Sequence, residues 1–188
     1  MPKYDKSTFI VYLDLPDNIS AEIDKIRKEV DSPGLKRWVA HITLKQEADY
    51  LPESVVKMQK ILKDFSQKTS PMILNLEEIA LKKESDGESW NIYAKILERD
   101  FLHELTKKLS LQLVPLTQEK NQIPWEQTDD YYAHISIING KDYGEGEKLQ
   151  QILCQKYELF DRIICASITL AQWNQTHWQK IQTWELGK

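Results

Sequence analysis

The sequence contains one short phrase written twice. His41-Ile42-Thr43-Leu44 returns as His134-Ile135-Ser136-Ile137, each copy preceded by an alanine, Ala40 and Ala133. Both read histidine, apolar, hydroxyl, apolar. In a β-strand successive side chains point to opposite faces, so His41 shares a face with Thr43 and His134 with Ser136. An imidazole changes charge near neutral pH, so one ring can be neutral and the other charged. Two such rings, each with a hydroxyl two residues on, suit a general acid and base around a phosphate. With ordinary residue usage a given histidine meets this pattern about 2% of the time. The chain has four histidines, His41, His103, His134 and His177. Two of four by accident is on the order of a few in a thousand, so the doublet is read as functional.

Other candidates are placed by the same periodicity. Lys45 falls on the His41 face and is expected to offset phosphate charge. Tyr132 falls on the His134 face. Trp38, Trp125 and Tyr131 lie in or beside the segments that enter the motif strands. Bases stack on aromatic rings, so Tyr132 and Trp125 are candidate base contacts. His103, on a helix with Arg99 one turn back, and His177, at a hairpin tip, read as surface residues. The two cysteines, Cys154 and Cys165, have no histidine or acid at ligand spacing, so no metal site and no cofactor are expected.

The elements that must hold these residues repeat too. Phe9, Val11, Leu13 and Leu15 alternate with Tyr12 and Asp14, a strand ended by Pro16. A helix follows, capped by Asn18 or Ser20, with Ile19, Ile23, Ile26 and Val30 on one face. Pro33-Gly34 breaks the chain before the His41 strand. A second helix follows Pro52, with Val55, Val56, Met58, Ile61, Leu62 and Phe65 as its apolar residues. A strand from about 72 to 82 leads to a Ser85-Asp86-Gly87 hairpin turn. The pattern restarts at Trp90, with a helix from about Arg99 to Gln112 whose apolar set is Phe101, Leu102, Leu105 and Leu109. A polar loop, 117 to 130, is a candidate lid ahead of the His134 strand. A helix from about 145 to 159 and two strands, about 162 to 171 and 178 to 186, complete the chain. Laying Phe9–Leu15 over Trp90–Ile96 puts Tyr12 on Tyr93 and Asp14 on Lys95. Tyr12 and Tyr93 are therefore expected in a shared cleft with both histidines.

These motifs resemble the 2H phosphoesterase superfamily, the 2'-5' RNA ligase-like and cyclic phosphodiesterase proteins, which carry one His-x-Thr/Ser-apolar motif per half. Arg37-Trp38-Val39 and Lys45 add to the likeness. Many members have a longer spacer after Arg-Trp-Val and a proline before each histidine. Here only Ala40 intervenes, and Ala40 and Ala133 stand at the proline positions. The resemblance implies an α+β fold: a bilobal pseudo-two-fold repeat, two antiparallel sheets lining a central cleft, helices outside. It implies one domain over 1–188, with lobes of roughly 1–84 and 85–188 and C-terminal strands able to cross between them. It implies metal-independent phosphodiesterase activity on 2',3'-cyclic phosphates, giving 2'-phosphates, or on 2',5'-linked oligonucleotides. His41 and His134 would be the acid/base pair, with Thr43 and Ser136 on the phosphate. A 2'-5' RNA ligase, an enzyme that destroys oligonucleotide signals and a non-catalytic nucleotide or RNA-end binder remain alternatives.

Composition narrows the partners. The 188 residues are 41% hydrophobic and 29% charged, with a net charge of −4. That balance suits a nucleotide or RNA end better than long duplex nucleic acid, which selects a basic surface. Lys36, Arg37 and Lys45 allow a local basic patch near the first motif. The polar start has no signal-like apolar stretch and no run reaches 18 apolar residues, so no membrane partner is expected. A monomer in the reducing cytoplasm is the expected form.

Overall fold

The computed structural model describes residues 6–30, 39–83, 88–118, 124–157 and 162–188. The expectations for Pro33-Gly34, for Arg37-Trp38 and for the Ser85-Asp86-Gly87 turn lie outside them. Eight strands and four helices are described: β1 (Thr8–Asp14), α1 (Asp17–Glu29), β2 (His41–Asp49), α2 (Val55–Lys68), β3 (Met72–Lys83), β4 (Trp90–Ile96), α3 (Arg99–Leu113), β5 (His134–Lys141), α4 (Tyr143–Lys156), β6 (Arg162–Cys165), β7 (Ser167–Trp173) and β8 (Trp178–Glu185). The fold is α+β. Every strand pairing is antiparallel, and the strands form two four-stranded sheets, β2-β1-β7-β8 and β5-β4-β3-β6.

The two sheets match strand for strand, with each motif strand at the edge of its sheet. The register confirms the repeat residue by residue. Tyr12 lies opposite Thr43 and Asp14 opposite His41, while Tyr93 lies opposite Ser136 and Lys95 opposite His134. Directly opposed residues share a face. The other faces of β1 and β4 carry Phe9, Val11 and Leu13, and Ile92, Ala94 and Ile96, into one continuous core. All four helices pack on that side. Ile19, Ile23 and Ile26 of α1 and Leu102 and Leu109 of α3 contribute to it, which is why the apolar stripes recur at helical spacing.

Some elements differ from the sequence reading. The segment from 162 to 171 is two strands, not one. It breaks at Ala166, and β6 joins the second sheet while β7 crosses to the first. β3, which precedes residue 84, pairs with β4 and β6 of the second sheet. Sheet membership therefore does not follow the division near residue 84. Asp17 opens α1 directly after Pro16, and neither Asn18 nor Ser20 caps it. Asp142 caps α4, accepting from the Glu145 N–H at 2.9 Å, so this helix starts two residues earlier than expected. Val56 and Phe101 are exposed, off the buried stripes of their helices.

Candidate active site

Each motif strand carries a β-bulge immediately after its hydroxyl. Tyr12 pairs with Thr43 but Val11 with Lys45, and Tyr93 pairs with Ser136 but Ile92 with Ile138. The extra residue at this point, Leu44 in one strand and Ile137 in the other, breaks the alternation, and each strand shifts register again further on, between Val11 and Phe9 and between Ile92 and Trp90. The first three motif residues keep the expected faces, and the residue that follows each bulge turns over. Lys45 accordingly shares the core face of Val11, not the face of His41. It is 3% exposed, and its Nζ lies 2.8 Å from Glu126 Oε1. The expectation that Lys45 offsets phosphate charge is corrected by this bulge.

His41 and His134 are held in the same way. His41 Nδ1 is 2.7 Å from the Val39 carbonyl oxygen, and His134 Nδ1 is 3.0 Å from that of Tyr132. A carbonyl only accepts, so each neutral ring carries its proton on Nδ1 and leaves Nε2 as the unprotonated nitrogen. Thr43 Oγ1 lies 3.2 Å from His41 Nε2. The two edge strands approach each other, and the charge of His134 is felt at His41.

Both imidazoles are pushed down from 6.5 to about 4. Burial is the largest cause in each, opposed by the bond to the carbonyl. Arg27 and His134 lower His41 further while Glu47 raises it, and Lys82 lowers His134. Both rings of the protein alone are therefore neutral at pH 7, not one neutral and one charged. A histidine whose folded pKa is depressed contributes stability above its unfolded value near 6.5, and that stability is lost as pH falls toward about 4. Thermal midpoints are expected to fall across that window. His41→Asn with His134→Asn should flatten the fall, and an unchanged slope in the double variant would rule out this origin.

The aromatic residues divide unevenly. Tyr12, 2% exposed, has its ring 4.8 Å from that of His41. Tyr132 stacks on His134 at 4.4 Å and 23°, Tyr93 meets the same imidazole edge-on at 5.5 Å, and Trp125 stands at 6.1 Å. Lys82 Nζ sits 3.5 Å from the centre of the Tyr132 ring. The structure thus groups His41, Thr43 and Tyr12 around the first motif and His134, Ser136, Tyr93, Tyr132 and Trp125 around the second. Tyr131 is buried and stacked on His103 at 5.0 Å, so His103 is not the surface residue expected. Arg99 donates to the Tyr131 and Asp129 carbonyls, fixing the chain ahead of β5. The described end of the 117–130 loop is likewise anchored, because Glu126 is completely buried on Lys45.

Three charged residues escaped the sequence reading. Arg27 is 2% exposed in α1. It stands eight residues after Ile19, on the buried stripe, and a cation there was a readable signal. Lys82 and Glu126 gave none, because their neighbours are far away in sequence. Among the described residues no three His, Cys, Asp or Glu side chains gather as metal ligands, and no helix is long and apolar enough to cross a membrane.

Two matched antiparallel sheets, each presenting a histidine and a hydroxyl from an edge strand, define a two-histidine α+β protein. Residues 15–177 match the model of the 2'-5' RNA ligase superfamily, and the chain belongs to that superfamily of 2H phosphoesterases. The fold is similar to that of TT0787 of Thermus thermophilus, with a TM-score of 0.63 and 16% identity over 96% of this chain and 98% of that one. It is similar to E. coli LigT complexed with 3'-AMP, with a TM-score of 0.61 and 13% identity over 98% of this chain and all (100%) of LigT. Kluyveromyces marxianus Usb1 gives a TM-score of 0.52 and 10% identity over 94% of this chain and 98% of Usb1. No curated protein matches the chain by sequence.

Proposed function

We infer that this chain is a metal-independent phosphodiesterase that opens 2',3'-cyclic phosphates to 2'-phosphates or cleaves 2',5'-linked oligonucleotides. The observation that carries this reading is the matched presentation of two histidines, each tied through Nδ1 to the carbonyl two residues back and each beside a hydroxyl. One neutral Nε2 takes a proton from water, whose oxygen attacks phosphorus. In a 2',3'-cyclic phosphate the bond from phosphorus to the ribose 3'-oxygen breaks, in a 2',5'-linked oligonucleotide the bond to a bridging ribose oxygen, and the second ring, as imidazolium, gives the departing oxygen its proton. A phosphate between the rings favours the imidazolium that the protein alone disfavours. E. coli LigT, of like fold, was crystallised with 3'-AMP, which supports a nucleotide or RNA end as partner here. The proposed working form is a cytoplasmic monomer, and the two free cysteines suit a reducing compartment.

A panel of 2',3'-cyclic mononucleotides, 2',5'-dinucleotides and cyclic dinucleotides, assayed with chelator, tests the reading. Turnover of at least one of the first two classes in chelator is expected. Activity that needs an added divalent ion would overturn the metal-independent mechanism, and tight binding without turnover would make the protein a binder.

The hydroxyls are tested on the same substrates. Thr43→Val and Ser136→Ala each remove one hydrogen bond to a charged phosphate, at a cost of roughly 1.5–3 kcal/mol. The expected fall in kcat/KM is about 10–150-fold for each. A folded double variant with unchanged kcat/KM would leave both residues as strand formers.

A further inference from the structure

The two histidine strands are edges of different sheets, so sheet pairing does not set the distance between them. A buried arginine from one half reaches the backbone of the other. Arg27 belongs to α1, in the half that carries His41, and is 2% exposed. Its Nε and Nη2 both donate to the Ser136 carbonyl oxygen, at 3.2 and 2.7 Å, in the middle of the second motif. Its Nη1 lies 3.2 Å from Asp24 Oδ1, itself about half exposed. One fork thus occupies an outward carbonyl of β5 between His134 and the bulge. The matching strand β2 is also tied to the opposite half, but through side chains, Lys45 to Glu126 and Glu126 to Ser110 of α3.

We propose that Arg27 is a positioning residue that fixes the second motif strand against the first and so sets the separation of His41 and His134. The inference rests on the two-histidine reading above. Burying a guanidinium is costly, and an apolar residue would continue the stripe of Ile19, Ile23 and Ile26 at a smaller desolvation penalty. What an apolar residue lacks is the planar fork that holds one carbonyl from two nitrogens, and lysine lacks it as well. Small displacements of a reacting pair have large kinetic effects, up to about 10²-fold for an ångström.

Arg27→Lys and Arg27→Met separate geometry from charge. On whichever substrate the parent turns over, both are expected to lower kcat by about 10–100-fold, with KM close to that of the parent. Arg27→Lys should keep both limbs of the pH profile in place. Arg27→Met should move the limb that reports His41 to higher pH, because the cation beside His41 is gone while Glu47, His134, Tyr12 and the opposed Asp14 remain. In parallel, imidazole NMR signals of His134 should shift in both variants, a readout that needs no turnover. If Arg27→Met fails to fold, Arg27→Lys carries the test alone. Folded variants with parental kcat, parental pH profile and unmoved His134 signals, differing only in thermal midpoint, would make Arg27 a packing residue. A parent inactive on the whole panel, but with His134 signals that move, would count against the phosphodiesterase reading and not against the strut.

Discussion

His41→Ala and His134→Ala are each expected to lower turnover by about 10²–10⁴-fold, the usual contribution of a positioned general acid or base. The geometry makes the two losses comparable. Both rings are fixed through Nδ1 to a carbonyl two residues back, both present Nε2, and both are pushed to about 4 mainly by burial. The double variant should lose less than the product of the singles, because acid and base act on one transition state. The fold should survive. Each histidine sits at an edge-strand position whose backbone pairing, Asp14 with His41 and Lys95 with His134, does not depend on the ring. Rate measurements on the active members of the chelated panel, with thermal midpoints as the control for folding, check this. A folded single variant with near-parental activity on all of them would end the two-histidine mechanism.

Lys45→Met is expected to destabilise the protein by about 3–5 kcal/mol, the effect of removing one partner from a buried ion pair. Glu126 is fully buried, and Lys45 Nζ, 2.8 Å away, is its cation. Ser110 Oγ donates to the same carboxylate oxygen at 2.9 Å and takes a bond from Gln127 Nε2, but these neutral groups do not replace the lost charge. For a chain of this size 1 kcal/mol moves the midpoint by about 2–4 °C, so a fall of roughly 6–20 °C is expected. Lys45→Met combined with Glu126→Leu should recover most of it, because an apolar pair leaves no uncompensated charge. The measurement also separates two roles for Lys45. An unchanged midpoint with weakened binding of inorganic phosphate would return the lysine to the phosphate and contradict its burial.

The repeat and the residues on which the proposed chemistry rests were legible in the sequence alone. Period-two alternation placed His41 with Thr43 and His134 with Ser136. The overlay of Phe9–Leu15 on Trp90–Ile96 anticipated the matched places of Tyr12 opposite Thr43 and Tyr93 opposite Ser136. These relations are local, or are repeated local patterns, and one chain displays them. The stripes of α1 and α3 were legible for the same reason, although Phe101 shows that an apolar residue beside a stripe need not be buried. Tertiary structure decided the rest. The bulges turn Lys45 away from His41, and only the partner strand shows where an extra residue falls; the successive apolar residues Ile137 and Ile138 were the one trace of it in the sequence. The crossing of β7 at Ala166 depends on which sheet offers an open neighbour, a competition among distant strands. Arg27 on Ser136, Glu126 on Lys45 and Lys82 over Tyr132 join residues far apart along the chain. Burial and nearby cations, not the residue type, put both imidazoles near 4, because a pKa is set by the solvent and charges around a group.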